Sequence, residues 1–138
     1  MKKLIALVCT LLCAATLFTG CAKESQLQPT EVKNVSISIS EVSPTGATVT
    51  IKDTNAVPFT YGGWFKVEKE SHGKWVEIDT VISSYAVNCV GFVPDSNDEI
   101  VMEIKWEWLY GELPAGTYRL LKEAGEQYIA VEFDVPEM

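Results

Sequence analysis

The chain has 138 residues, 47% of them hydrophobic, with 11 basic against 19 acidic side chains and a formal net charge of −8. That size and apolar fraction suit one domain with a self-sufficient core. The acidic balance should repel nucleic acid and anionic lipid headgroups, which argues against either as a ligand of the charged surface.

Met1-Lys-Lys3 is a basic start, and Leu4 to Phe18 is an almost unbroken apolar run. The run is shorter than the ~20 residues a permanent membrane-spanning helix needs, so it reads as a targeting segment. Thr19-Gly20-Cys21 closes it. Small residues before a cysteine at this place resemble the lipobox of bacterial lipoproteins, with Phe18 standing where that motif most often has Leu. The resemblance implies cleavage before Cys21, acylation of its thiol and new amine by chains such as palmitate, and a lipid-anchored, extracytoplasmic place at the bacterial cell envelope. Two or more acyl chains at about 0.8 kcal/mol per buried methylene hold a protein stably on a membrane. Residues 1–20 are thus expected as a lipoprotein signal peptide, 21–33 as a lipid-anchored tether and 34–138 as the folded domain. The tether assignment rests on a polar stretch with Pro29 and no apolar period, which extends to roughly 40 Å at most.

From Val35 onward the apolar period is two. Val35, Ile37 and Ile39 alternate with serines, Ser43-Pro-Thr-Gly46 turns, and Ala47, Val49 and Ile51 alternate with Thr48, Thr50 and Lys52. After a turn at Asp53-Thr-Asn-Ala56, Tyr61 to Glu70 and Lys74 to Ile78 flank Ser71-His-Gly73 as a hairpin. Val81 to Val93 is β-prone without clean alternation and is expected as a strand broken near Ser83-Ser84. Pro94 to Glu99 is a polar loop. Ile100, Met102, Ile104, Trp106, Trp108 and Tyr110 then share one parity, opposite Glu103, Lys105 and Glu107, which predicts a strand with all six side chains inward. Leu113-Pro-Ala-Gly116-Thr-Tyr118 supplies a turn into a further strand. In this Leu-x-x-Gly-x-Tyr form Leu113, Gly116 and Tyr118 make a tyrosine corner, whose phenol bonds back to upstream backbone. Ile129, Val131, Phe133 and Val135 give the last strand. Seven or eight short strands with no helical period predict an all-β fold, an antiparallel Ig-like sandwich.

The block Trp106-Glu-Trp-Leu-Tyr-Gly-Glu-Leu-Pro-Ala-Gly-Thr-Tyr-Arg119 resembles a family of bacterial immunoglobulin-like domains of secreted and lipid-anchored proteins. Ser43-Pro-Thr-Gly-Ala-Thr-Val49, Phe59-Thr-Tyr-Gly-Gly63 and Gly73-Lys-Trp75 support it over about residues 34 to 134. The resemblance implies an Ig-like sandwich with no assigned catalytic residues. The same corner is similar to one in a bacterial proteinase-inhibitor family of related fold.

Chemistry has few candidates. His72 stands alone in a turn, and with one histidine and one cysteine in the domain there is no zinc set and no nucleophile–base pair. No metal and no cofactor is expected. Asp95, Asn97, Asp98 and Glu99 form the densest oxygen cluster, but an EF-hand loop starting at Asp95 would meet Ile100 and Trp106 where Gly and Glu belong. Cys89, the one cysteine left in the domain, is expected as a small buried hydrophobe. Trp106, Trp108 and Tyr110 suggest a sugar platform by type but core by register. Trp64, after Gly62-Gly63, is the candidate partner contact, weighed against packing in the core. The expectation is a non-enzymatic, lipid-anchored envelope module that makes protein or glycan contacts, with an anchored or secreted proteinase inhibitor as the alternative. The membrane is its expected partner through Cys21, the protein or glycan is undefined, and nucleic acid is excluded.

Overall fold

The computed structural model describes residues 22–87 and 89–137. Cys21 and residues 1–20, expected as a lipoprotein signal peptide, lie outside them. Seven strands follow in order: β1 (Val35–Ser40), β2 (Gly46–Asp53), β3 (Lys66–Ser71), β4 (Lys74–Glu77), β5 (Glu99–Lys105), β6 (Gly116–Ala124) and β7 (Gln127–Val135), with one helical turn, α1 (Glu107–Tyr110), after β5. They make a three-stranded sheet β1-β2-β5 and a four-stranded sheet β4-β3-β6-β7. Every strand pair is antiparallel. This is the all-β sandwich expected from the period-two pattern.

The alternation seen in the sequence decides which face is buried. Val49 and Ile51 of β2, Val67 of β3, Leu120 of β6 and Phe133 of β7 meet between the sheets. Trp106 is fully buried, stacked on Phe133 with centroids 5.2 Å apart, and Phe133 stacks in turn on Tyr118 at 5.7 Å. Trp106 Nε1 donates to the Pro44 carbonyl at 2.8 Å, so the indole crosses the core yet leaves no polar atom orphaned. Gly46 sits where a Cβ would come within 2.4 Å of the Ile104 carbonyl oxygen, a close approach only glycine permits.

Three expectations are corrected. First, the strand predicted through Tyr110 stops at Lys105. The Trp106 and Glu107 amides both donate to the Thr45 carbonyl, and the Gly111 amide donates to Glu107, which winds the chain into α1. A helical turn advances about 100° per residue rather than 180°. Leu109 and Tyr110 therefore join Trp106 inside, and Trp108 turns outward, 42% exposed. Second, the described residues of Val81 to Val93 form no strand; the one sheet-like contact among them is a bridge between Phe92 and Tyr61. Cys89 in this stretch is exposed, not a core residue. Third, residues 22–33 do not hang free as a tether. Glu24 bridges Val76 at the edge of β4, the Glu77 amide donates to Lys23, and the Ser25 amide donates to Trp75. Thr30 then bonds Tyr128 on β7, so this strap crosses the outer face of the four-stranded sheet before β1 begins.

Candidate functional site

β1 meets β7 along one side of the sandwich, which leaves β4 and β5 on the other. The two edges there are treated differently. The β4 edge is covered by the strap, whereas β5 pairs with β2 alone among the described residues. Beside β5 the chain from Thr80 to Val93 runs irregularly, tied at its start by the Val81 amide to the Leu109 carbonyl and near its end by Phe92 to Tyr61.

Between this segment and β5 lies a cleft of about 580 Å³, lined by Phe65, Val87, Phe92, Met102, Trp108 and Lys122. Trp108 stands edge-on to Phe65 and to Tyr85, with centroids 6.3 and 5.7 Å away. Lys122 closes the floor. Its ammonium donates to the carbonyls of Gly62 (2.6 Å) and Trp64 (2.7 Å), and burial pushes its pKa down to about 8 while Glu123 opposes that. The cleft can receive apolar groups. The Lys122 ammonium on its floor is already engaged, and the described lining brings no nucleophile and base together.

A second built feature supports the segment leading into the cleft. Asp53, at the end of β2, accepts from the Asn55 and Phe59 amides and from the Tyr61 hydroxyl. Burial pushes the Asp53 carboxyl up, but these donors outweigh it and hold it below the ordinary carboxylate range. The same burial, with the carboxylate beside it, pushes the Tyr61 phenol far up. No signal in the sequence beyond Asp at a strand end marked this pair.

The other candidates fall in separate places. The Tyr118 hydroxyl donates to the Pro114 carbonyl, four residues upstream and just past Leu113, at the opposite end of β6 from Lys122. Burial raises its pKa. Gly116 opens β6, and Leu113 is buried beneath the corner. Trp64 is half-buried, its ring 5.6 Å from that of Tyr128, rather than standing free at a loop tip. His72 is exposed in the β3–β4 turn with φ of 52°. The Asp95 carboxylate is occupied by the amides of Asn97 and Glu99, which makes the acidic cluster a self-bonded turn. Among the described residues no group of three or more His, Cys, Asp or Glu gathers as a metal site.

Sequence reasoning missed the open side because it read Trp108 as core and Val81 to Val93 as a strand. One signal was present: no charged residue occurs from Thr80 to Pro94.

No curated protein and no solved structure shows significant similarity to the chain. A sequence profile of the bacterial Ig-like domain matches residues 31–134, the whole sandwich from the end of the strap to the last strand. The two sheets, their antiparallel pairing and this match agree, and the chain belongs to the bacterial Ig-like domain family.

Proposed function

We propose that the protein is a non-enzymatic, lipid-anchored Ig-like module of the bacterial cell envelope that works by holding other molecules, protein or glycan, rather than by transforming them. One observation carries the reading: a basic start, an apolar run and Thr19-Gly-Cys21 stand immediately ahead of an Ig-like domain. Acylation of Cys21 places the domain on the extracytoplasmic side of a membrane without a spanning helix. Among the described residues no helix is long and apolar enough to cross one. The contact surface we favour for a protein or glycan is the Trp64–Tyr128 pair, two aromatic rings that share one half-buried site.

Two experiments test this. Full-length chain expressed in bacteria with labelled palmitate should carry the label and sediment with membranes, and Cys21→Ser should lose both. Residues 22–138 on beads, incubated with envelope extract and with wall polysaccharides, should retain a component that a Trp64→Ala variant does not. A chain that stays unlabelled, or beads that retain the same material with and without Trp64, would sink the corresponding half of the proposal.

A further inference from the structure

The strap and the uncharged segment lie on the same side of the molecule. Lys23 sits opposite Glu77 at the edge of β4, and Ala22 is one residue beyond. From Glu77 the chain needs only four residues to reach Val81, where the apolar segment begins. Val81, Tyr85, Val90, Phe92 and Val93 are exposed by 40% or more, and Trp108 is exposed beside them. Most of the large hydrophobic side chains that this domain leaves in water are gathered here. The flanking charges, Asp79 and Asp95, fall at the two ends of the run and not within it.

From this juxtaposition we propose that the open side of the sandwich is a membrane-docking face: Val81, Tyr85, Val90, Phe92, Val93 and Trp108 enter the interfacial region of the bilayer that holds the lipid of Cys21. The inference rests on the lipid-anchor reading and deepens it by naming which face meets the membrane.

Three physical arguments carry it. The first is slack. A free tether of a dozen residues would let the domain turn any face to the membrane. With the strap bonded to β4 from Lys23 onward, little free chain separates the sandwich from the lipid, so the face nearest β4 is kept at the surface. The second is charge. An acidic domain cannot bring most of its surface against headgroups without repulsion and desolvation, and the stretch from Thr80 to Pro94 brings no charge of its own. The third is chemical type. Valines with a Tyr and a Trp match the depth gradient of the interface, where aromatic rings with one polar end settle at headgroup level. A patch of such side chains is unusual on a surface that stays in water.

The test uses the full-length acylated protein purified from bacterial membranes and reconstituted into phosphatidylcholine vesicles with brominated acyl chains, which quench tryptophan at contact. Intact mass reports acylation separately. In a Trp64→Phe/Trp75→Phe background, which removes the two half-buried indoles, emission should fall relative to unbrominated vesicles, and Trp108→Phe should abolish that fall, because the remaining Trp106 is fully buried in the core. A Val90→Asp/Val93→Asp pair should also abolish it while the protein stays on the vesicles through its lipid. Both valines are exposed, so the change leaves the core intact. A chain without acyl mass on Cys21 overturns the anchor and the docking face together. An acylated chain whose Trp108 is unquenched, or whose quenching survives the Asp pair, overturns the docking face alone. A photoreactive group at position 101 that cross-links to a second copy or to an envelope protein, with Trp108 unquenched, overturns it in favour of a protein occupant.

Discussion

Arg119 and Glu68, side by side on β6 and β3, are joined through a single carboxylate oxygen. Arg119 Nε and Nη2 both reach Glu68 Oε1, at 2.8 and 2.7 Å, while Oε2 is buried without a hydrogen-bond partner and has only Lys66 Nζ, at 3.7 Å. The Trp75 ring lies 4.8 Å from the guanidinium carbon, and Ser25 and Leu27 of the strap cap its outer side. A pair so placed loses much of its attraction to desolvation, but breaking it leaves a charge uncompensated. Arg119→Met is expected to cost about 3–5 kcal/mol in urea unfolding. Combining it with Glu68→Met should recover most of that loss. A double variant as unstable as the single one would show that the pair is not the source.

The strap is expected to be part of the folding unit. Ser25→Pro removes the amide that donates to Trp75 and should cost about 1–2 kcal/mol. Hydrogen exchange offers a sharper reading, since the Glu77 amide donates to Lys23. In the wild type it should be protected like the β6–β7 amides, and in a chain starting at residue 31 it should exchange at the rate of an exposed edge.

Asp53 sets an acid limb. Its carboxyl is held below the ordinary value of 3.8, so the unfolded chain takes up this proton at a higher pH than the folded one does. Stability from this group is complete above pH 3.8 and is lost as pH falls through the depressed value. Asp53→Asn should lower stability at neutral pH and flatten the limb below pH 4. Thermal unfolding at pH 7 and pH 3 measures both; parallel curves for the two proteins would remove Asp53 as the cause.

The corner offers a conservative test. Tyr118→Phe keeps the ring stacked on Phe133 and deletes the hydroxyl bonded to Pro114, which should cost roughly 1–2 kcal/mol. Tyr118→Ala also removes ring burial and should cost more, about 3–5 kcal/mol, by the cavity it leaves.

The sequence by itself determined the strands whose side chains alternate cleanly. Val35 to Ser40, the stretch around Val49 and Ile51, and Ile129 to Val135 could put their apolar residues on one side in no other way, and that pattern carries the sandwich. The residues of the corner were legible because Leu113, Gly116 and Tyr118 act within a few positions of one another. Where a partner distant in sequence decides the conformation, the pattern misled. Thr45 takes the amides of Trp106 and Glu107 and converts an apparent strand into α1, which sends Trp108 outward. Val81 to Val93 has strand composition but gains no ladder to β5, so its valines stay in water. The strap looked like a linker because its sequence is polar. Its place is fixed by hydrogen bonds with Trp75, Glu77 and Arg119, which lie about 50 to 90 residues away along the chain and come together only when the four-stranded sheet has formed.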